Sequence, residues 1–484
     1  MAAVRPTPQW ACWSSRPVTR CSRVAAWEKA ESTVAEHLYE SPAETERIME
    51  EVCEKENCRE ALRRVKANKG SPGIDAMSVD ELPGYLVQHW PEVRDQLLSG
   101  TYRPQPVRRV EIPKPDGGMR KLGVPTVLDR MIQQAVLQVL QRRWDASFSD
   151  HSYGFRPGRS AHQAVARAQQ YIIDGYGWVV DLDLEKFFDR VNHDRLMARV
   201  AERVSDKRLL KLIRAFLTAG VMEEGLVSAV EEGTPQGGPL SPLLSNLVLD
   251  ELDRELERRD HRFVRYADDC NIYVRSERAG QRVMESVTSF IERRLKLKVN
   301  AQKSAVARPE ERTFLGFTFK RLGAASEPRR SIAPKALRRF KNRVKEITRR
   351  NRGVSMKCMV EDLSAFLRGW RAYFGFCQTP ELFDSLDSWV RRRLRAVQWK
   401  QWRRPQRRCT ELLRRGVSWA TAVCTAASSR GCWHLARSQA VQVALPNAHF
   451  DSLGLFRLST KLGSTRRTAG CGIRMSGGVA GARG

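Results

Sequence analysis

Residues 262–274, RFVRYADDCNIYV, carry two adjacent aspartates between two short apolar runs. This pattern predicts a β-hairpin with Asp268 and Asp269 at its turn. Upstream, residues 178–184, WVVDLDL, are typical of a buried strand that ends near Asp183. If this strand lies beside the hairpin, the three carboxylates converge and repel one another unless cations lie between them. Two divalent cations would suit nucleotidyl transfer, in which one activates a 3′-hydroxyl and the other holds a triphosphate.

The composition of the chain favours a polyanionic partner. Its 484 residues are enough for two or three domains, and 42% of them are hydrophobic. The net charge of +29 and the pI near 10.2 favour binding to nucleic-acid phosphates. Residues 335–408 hold 21 Lys and Arg against 6 Asp and Glu, which predicts a nucleic-acid surface rather than merely solvated helix faces. No apolar run is long enough to span a bilayer, so we expect no membrane insertion, and a membrane surface is the weaker alternative.

Cysteine usage and the first residues bear on the compartment. Eleven cysteines are scattered along the chain without a Cys-x-x-Cys pair, which argues against a disulfide framework and a zinc ribbon. A reducing cytoplasm fits this pattern. Residues 1–24 contain four arginines and no acidic residue, as a transit peptide does, but they lack the apolar stretch of a secretion signal. We predict that residues 1–44 form a disordered basic extension.

Strand and helix patterns alternate through the middle of the chain. Residues 108–124 predict a hairpin around a Pro-Asp-Gly-Gly turn. Apolar periodicity predicts helices over 129–144, 185–201, 239–259 and 282–295. A linker is expected at 323–331, where composition shifts to Ala, Ser, Pro and Arg. Beyond it, start signals predict a small helical bundle, apolar inside and rich in Arg outside, with helices beginning at Pro334, Ser355 and Pro380.

Two further motifs offer groups that a nucleotide would need. Residues 233–242, GTPQGGPLSP, form a Gly- and Pro-rich turn that leads into a helix. Such a turn lets backbone pack against a flat base pair, and Gln236 can hydrogen-bond a nucleotide or the template. A plain helix start would not need this density of Gly, Pro and Gln. Lys114 and Arg120 flank the hairpin turn, where two cations can clamp a triphosphate, although such a pair alone is more often a solvated edge.

Two single side chains gain a role only beside these motifs. Phe188 follows Asp183 by five residues, and its ring could block the 2′ position of a ribonucleotide. Lys303 could protonate a pyrophosphate leaving group. Taken singly, Phe188 is ordinary core, Lys303 is a surface lysine, and the Asp-Asp pair is simple turn chemistry.

Together these motifs resemble a group II intron-encoded reverse transcriptase/maturase of the bacterial type. The resemblance covers roughly residues 60–460. Its polymerase motifs are Gly73–Asp75, Ile112–Lys114, Leu122–Thr126 with Asp129-Arg130, Tyr153–Pro157, Asp183 with Phe188-Asp189, Gly233–Pro242, Tyr266–Asp269 and Phe314–Phe317. The motifs similar to the maturase, or thumb, region are Gly369–Phe374 and Trp399–Trp402.

The resemblance implies a role for each matching residue. Asp183 and Asp268 would be the principal ligands of two Mg²⁺ ions, with Asp269 alongside and the Leu184 carbonyl contributing. The nucleotide would meet Lys114, Arg120, Phe188, Gln236 and Gly237, with Lys303 near the leaving group. The intron RNA would meet Arg371, Arg391, Arg392, Arg393, Arg395 and Lys400. The implied partners are the host group II intron RNA, a DNA target or primer and dNTPs; a homodimer is kept open as the oligomeric state.

The implied fold is α/β (α+β): right-hand polymerase fingers and palm with an antiparallel sheet, followed by an α-helical thumb/maturase bundle. The expected location is the bacterial cytoplasm, with the nucleoid or a ribonucleoprotein. The domain prediction comprises the basic extension 1–44, fingers and palm 45–325, thumb helices 332–404, a nucleic-acid-binding element 405–462 and a disordered tail 463–484.

One departure from the family and three alternatives qualify this hypothesis. Many relatives end in a His-Asn-His endonuclease, whose spacing is not matched here by Cys409, Cys424, Cys432, His434 and His449. We therefore expect no endonuclease, and target priming from nick-independent or replication-derived 3′ ends. The alternatives are a maturase without polymerase activity, an RNA-dependent RNA polymerase, and a domesticated reverse transcriptase in repair or defence. The three aspartates argue against the first alternative, the bulky Phe188 against the second and the maturase region against the third.

Overall fold

The computed structural model describes residues 47–113, 119–223, 226–228, 232–233, 237–321 and 326–459. The predicted extension 1–44 and tail 463–484 lie outside the described residues. The chain divides into two compact units, of which one ends at Arg329 and the other begins at Arg330. Within the part of the chain that is described, no helix is both long enough and apolar enough to cross a membrane.

The first unit mixes helices with two sheets. Its elements are α1 (Ile48–Val52), α2 (Lys55–Asn68), α3 (Leu82–Ser99), β1 (Val107–Pro113), β2 (Met119–Val124), α4 (Val127–Trp144), α5 (Ala161–Ile173), β3 (Trp178–Leu182), α6 (Phe187–Arg190), α7 (His193–Ala201), α8 (Lys207–Thr218), β4 (Val221–Glu223), β5 (Leu226–Ser228), α9 (Ser241–Arg258), β6 (Arg262–Tyr266), β7 (Asp269–Val274), α10 (Glu277–Phe290), β8 (Ala305–Ala307) and β9 (Phe317–Lys320). A π-helical turn at Ile291–Leu295 extends α10.

The central sheet has the strand order β6-β7-β3-β8, and all of its neighbouring strands are antiparallel. Val180, Phe263 and Ile272 of this sheet are fully buried and share one core with residues of α4, α8 and α9. Helices therefore cover the apolar face of the sheet. The turn between β6 and β7 lies at the end of these two strands. The predicted hairpin is confirmed, and so is the strand beside it.

A second sheet has the order β2-β1-β4-β5. Its β1–β2 pair is antiparallel from Arg108 opposite Val124 to Pro113 opposite Met119, which confirms the predicted hairpin. β1 pairs with β4 in parallel, so a distant segment of the chain joins this sheet. The turn of the β1–β2 hairpin, residues 114–118, lies outside the described residues.

Two helices of the first unit differ from the prediction. The expected helix 185–201 begins only after the left-handed Lys186 (φ 49°), and the extended backbone at Val191 divides it into two helices. The side chain of Asn192 then caps α7 by accepting a hydrogen bond from the Arg195 amide. The expected helix 282–295 begins earlier, at Glu277, because the side chain of Ser276 accepts a bond from the Ala279 amide.

The second unit is largely helical. The boundary between the units falls after the first residue of β10 (Arg329–Ile332). The helices of the second unit are α11 (Pro334–Ile347), α12 (Met356–Phe374), α13 (Pro380–Gln401), α14 (Pro405–Arg414), α15 (Trp419–Ala427), α16 (Cys432–Leu435), α17 (Gln439–Ala444) and α18 (Asn447–Ser452). The three predicted helix starts are confirmed, and the Ser355 side chain caps α12 by accepting a bond from the Cys358 amide. One apolar core extends from Ile332 to Leu458, so the predicted boundary at 404/405 separates helices that pack together.

The described cysteines are free thiols in different surroundings. Cys53, Cys58 and Cys270 of the first unit are buried, whereas Cys358 and Cys424 of the second unit are exposed. Burial raises the pKa of Cys53 to about 11 and that of Cys58 to about 12, and it raises the pKa of Cys270 as well.

Candidate active site

The predicted carboxylates meet where β3 ends and β7 begins. Leu182 of β3 pairs with Cys270 of β7 in an antiparallel register. The next residues outward from this pair, Asp183 and Asp269, therefore come opposite one another. Asp268 occupies the hairpin turn, because Tyr266 pairs with Asp269 across it.

The backbone around Asp183 is held by the segment before β8. The Asn300 amide donates a hydrogen bond to the Asp183 carbonyl (2.8 Å), and the Asp183 amide donates one to the Ser304 hydroxyl (3.0 Å). Leu184 forms an antiparallel bridge with Val299. The carboxylate of Asp183 therefore projects from a fixed piece of backbone, although it lies one residue beyond the strand.

Negative charge accumulates at this edge of the sheet. The pKa of Asp269 is raised to about 7, although part of the residue is exposed. The largest cause is desolvation by the residues packed around it, and the carboxylates of Asp268, Asp181 and Asp183 add to it. Burial, together with the nearby Asp183, also raises the pKa of Asp181. Such mutual repulsion indicates a site that a cation would stabilise.

Two basic side chains partly balance this charge. Lys303 places Nζ 3.3 Å from Asp183 Oδ2 and is itself 67% exposed. Arg312 pairs with Asp181 (2.6 Å) and also donates to the carbonyl of Lys303. Sequence reasoning missed Arg312, which follows Lys303 by nine residues in a segment without a motif.

Carboxylate oxygens are the ligands that hard divalent cations prefer. The donor type and the raised pKa of Asp269 both fit such a cation. Among the described residues, however, no group of three His, Cys, Asp or Glu side chains has the geometry of a metal-binding site. The carboxylates are thus near one another in an open arrangement, and Lys303 lies against Asp183.

The predicted sugar gate lies beside the Gly- and Pro-rich turn. Phe188 is half-buried against the buried ring of Phe187, with ring centroids 5.3 Å apart. Gly233 is left-handed (φ 95°), and a Cβ on it would come within 2.8 Å of the Phe188 carbonyl. Gly237 approaches β2 so closely that a Cβ would lie 2.5 Å from the Gly123 carbonyl. The structure therefore packs Gly233 on the backbone of Phe188 and Gly237 on β2, and these close approaches explain both glycines.

Three of the predicted nucleotide-binding side chains are not described. Lys114 and Gln236 lie outside the described residues. Arg120 lies on β2 opposite Ile112, and its side chain is likewise outside the described part. Their proposed roles stay predictions.

Two of the arginines predicted to face RNA are buried, which corrects their assignment. Arg391 is 6% exposed and pairs with Asp387 (3.8 Å) and Asp451 (3.3 Å). Arg395 is 9% exposed and donates to the Leu445 carbonyl (2.9 Å). The prediction assumed that α13 buries only one face. Residues after position 404 also pack on α13 and bury a second part of its surface. Arg391 and Arg395 therefore hold the second unit together and do not face RNA.

The other four residues of that prediction are more accessible. Arg392 is half-buried over the Trp433 ring (3.9 Å), and Arg393 donates to the Thr348 hydroxyl (2.7 Å). Arg371 is half-buried over the ring of Phe383 (4.2 Å). Lys400 is exposed on the last turn of α13.

A buried arginine was also missed. Arg265 lies in β6 directly before the Tyr-Ala-Asp-Asp turn, and it is completely buried with Asp253 as its partner. Its sequence signal was a charged residue directly after the apolar Phe263-Val264 pair of the strand, where only a paired charge is stable when buried.

Family models match both units of the chain. The model described as reverse transcriptase (RNA-dependent DNA polymerase) matches residues 112–319, which span β1 to β9. The model described as group II intron, maturase-specific domain matches residues 337–416, from α11 to just after α14.

Curated relatives match as well. Protein YkfC of Escherichia coli (strain K12) is 34% identical over 314 residues, covering 57% of this chain and 81% of that protein. The group II intron-encoded protein LtrA of Lactococcus lactis subsp. cremoris is 29% identical over 326 residues, and the match covers 54% of each chain. The chain thus spans most of the first relative and about half of the second. With its carboxylate hairpin, it belongs to the group II intron-encoded reverse transcriptases, RNA-directed DNA polymerases that carry a maturase domain.

Proposed function

We propose that the chain copies RNA into DNA at Asp183, Asp268 and Asp269 and that it binds its own intron RNA to assist splicing and retrohoming. Enzymes of this family use divalent metal ions. We propose Mg²⁺, with two ions held by the three carboxylates and the Leu184 carbonyl. When bound, these ions would activate the primer 3′-hydroxyl and stabilise the leaving pyrophosphate. The observation that carries the proposal is that Asp183, one residue beyond the end of β3, lies opposite Asp269, the first residue of β7, with Asp268 on the turn.

The chain's own residues would select and orient the nucleotide. The half-buried ring of Phe188 would exclude a 2′-hydroxyl from the sugar site. Because they lack a side chain, Gly233 and Gly237 pack closely on Phe188 and on β2, and this packing would hold the turn close to the bound nucleotide. Lys303, whose Nζ lies 3.3 Å from Asp183 Oδ2, would donate to the leaving pyrophosphate. Lys114, Arg120 and Gln236 would contact the triphosphate and the base.

The RNA surface would lie on exposed basic side chains of the second unit. On α11, Arg338, Lys341 and Lys345 are exposed and share one helix face, because they are three and four residues apart. We add this face to Lys400, Arg371, Arg392 and Arg393 as the intron-RNA contact, in place of the buried Arg391 and Arg395. The remaining partners would be dNTPs and a DNA primer or target. We also propose a cytoplasmic ribonucleoprotein associated with the nucleoid, with a homodimer as its oligomeric state.

The test separates polymerisation from RNA binding. Asp268→Ala should abolish primer extension on an RNA template, because it removes a proposed ligand of both ions, while intron-RNA affinity should match the parent. Asp268→Asn should do the same without a change in side-chain size.

The matched control is Asp260→Asn. Asp260 precedes the same hairpin, is 83% exposed and has φ 53°, which Asn tolerates. This variant should extend primers like the parent. Parental extension by Asp268→Ala would refute the assigned site, and no extension by the parent would favour a maturase that lacks polymerase activity.

A further inference from the structure

Behind the hairpin turn lies a buried polar network centred on Arg265. The side chains of Arg265 and Asp253 are both 0% exposed, and Arg265 Nε donates to Asp253 Oδ1 (2.7 Å). The same guanidinium donates to Asn246 Oδ1 (3.0 Å), to Ser152 Oγ (2.8 Å) and to the carbonyl of Ala267 (2.9 Å). The last of these bonds reaches the residue directly before Asp268.

The loop at residues 152–154 approaches the same turn from another side. A Cβ on Gly154 would lie 2.3 Å from the amide nitrogen of Ala267, so the two backbones are in direct contact. Asn246 donates to the Gly154 carbonyl (2.9 Å), and the Tyr153 amide donates to the Arg265 carbonyl (2.9 Å). The segment that contains the Tyr153–Pro157 motif is thereby tied to both α9 and β6.

The turn needs this support because its backbone is unfavourable. Ala267 has φ 56°, a left-handed conformation that costs an L-residue free energy and persists only where neighbours fix it. The Ala267 carbonyl belongs to the peptide that joins it to Asp268. A rigid, fully paired guanidinium that holds this carbonyl therefore also fixes the direction in which the Asp268 carboxylate leaves the chain.

We propose that Arg265 is a positioning residue that, paired with Asp253 and backed by Gly154, aims Asp268 at the divalent cation. The proposal rests on the metal-dependent polymerase function proposed above. Residues that orient metal ligands typically change metal affinity by about 10- to 100-fold when they are replaced. A purely structural ion pair would instead affect folding and leave the metal affinity of the folded protein unchanged.

The central experiment removes both partners of the pair. A single substitution would leave a buried charge unpaired and risk unfolding, whereas replacing a whole buried pair with apolar residues of similar volume is often tolerated. In Arg265→Met with Asp253→Leu, we expect a cooperative thermal transition and parental intron-RNA affinity. We also expect Mn²⁺ binding, followed by electron paramagnetic resonance without primer or nucleotide, to weaken about 10-fold or more. Primer extension should fall in parallel.

The matched control is the neighbouring pair of Arg203 and Asp250. Arg203 Nη2 lies 3.0 Å from Asp250 Oδ2, and Asp250 lies on α9 one turn from Asp253. Asp250 also pairs with the solvent-exposed Arg254 (2.9 Å), and among the described residues neither Arg203 nor Asp250 hydrogen-bonds the hairpin turn. Arg203→Met with Asp250→Leu should keep parental Mn²⁺ affinity. Parental Mn²⁺ affinity and extension in the folded Arg265/Asp253 variant would overturn the inference.

A second variant keeps the test decisive if the double variant does not fold. Gly154→Ala leaves the ion pair intact. Its added Cβ would clash with the backbone of Ala267 and displace the hairpin turn. It should also weaken Mn²⁺ binding and slow extension, and parental values for both would overturn the inference. If the parent itself neither binds Mn²⁺ nor extends primers, the proposed function is refuted. If the parent does both and the variants match it, only the positioning role of Arg265 is refuted.

Discussion

The ring of Phe188 lies at the boundary between the core and the site. It packs on the buried ring of Phe187 but keeps an accessible side, and the turn at Gly233 touches its carbonyl. A core residue and a sugar gate need not be alternatives, because one face of a ring can pack while the other meets a ligand.

Phe188→Ala should admit ribonucleotides, because the space that the ring vacates can hold a 2′-hydroxyl. The preference for dNTP over rNTP should fall by about 10²-fold, the range that a lost steric contact typically gives. Steady-state incorporation of each nucleotide on one template measures the ratio. Phe187→Leu, at the neighbouring buried ring, should lower the melting temperature and keep the ratio. An unchanged ratio in Phe188→Ala would assign the sugar choice to another residue.

Single residues were predictable where their chemistry is tied to a local pattern. The three aspartates follow from the hairpin and strand alternation, and the register now puts Asp183 opposite Asp269. Arg265 and Arg391 were not predictable in the same way, because their partners Asp253 and Asp451 come from other elements. The spacing of residues along one element indicates which of them share a face. Whether a residue is buried depends also on the other elements that pack against that face.

At the scale of elements, α4 begins with a buried carboxylate. Asp129 accepts hydrogen bonds from the Thr126 hydroxyl (2.7 Å), the Tyr102 hydroxyl (2.9 Å) and the Gln105 amide (3.2 Å). Burial outweighs these three donors and raises the pKa of Asp129 to about 6. The start of the helix is therefore sensitive to pH.

Asp129→Asn should reveal this sensitivity. The folded state holds the Asp129 proton more tightly than the unfolded chain, whose ordinary value is 3.8. The contribution to stability is therefore present below about pH 4 and is lost as the pH rises through about 6. The free energy of unfolding of the parent, minus that of Asp129→Asn, should fall by on the order of 3 kcal/mol across this range. Urea denaturation at several pH values measures it, and a constant difference would contradict the assignment.

Elements were predicted best where a capping side chain marks the start. Ser355 was recognised as the cap of α12, whereas Ser276, which caps α10, was overlooked in favour of an apolar pattern that starts later. The break between α6 and α7 was missed because nothing in the residue type of Val191 marks the extended backbone that ends α6. Such breaks are imposed by tertiary contacts, here the hydrogen bond that the Gly233 amide donates to the Val191 carbonyl (2.8 Å).

At the scale of the whole molecule, the net charge of +29 is not spread evenly along the chain. The surplus within residues 335–408 divides between exposed side chains on α11 and buried, paired arginines on α13. Counting charges along the chain located the basic region but could not separate those two groups.

Replacing Arg338, Lys341 and Lys345 with Gln should weaken binding to the intron RNA. If each contacts one phosphate, the slope of log affinity against log salt should become shallower by about 2 units. The charge-matched control replaces the exposed Arg278, Arg282 and Arg293 of the first unit with Gln and should keep the parental slope. Filter binding across a salt series distinguishes the two. Equal slopes in the α11 variant and the parent would remove this face from the RNA surface.

The distribution of buried and exposed thiols allows one unit of the protein to be labelled selectively in solution. Of the described cysteines, those in the first unit are all buried with raised pKa values, whereas Cys358 and Cys424 stand open in the second unit. Once Cys12, Cys21 and Cys471 are replaced, a maleimide dye at neutral pH will react mainly with the second unit. A fluorophore there can report the arrival of RNA on the maturase helices while the polymerising site remains chemically untouched.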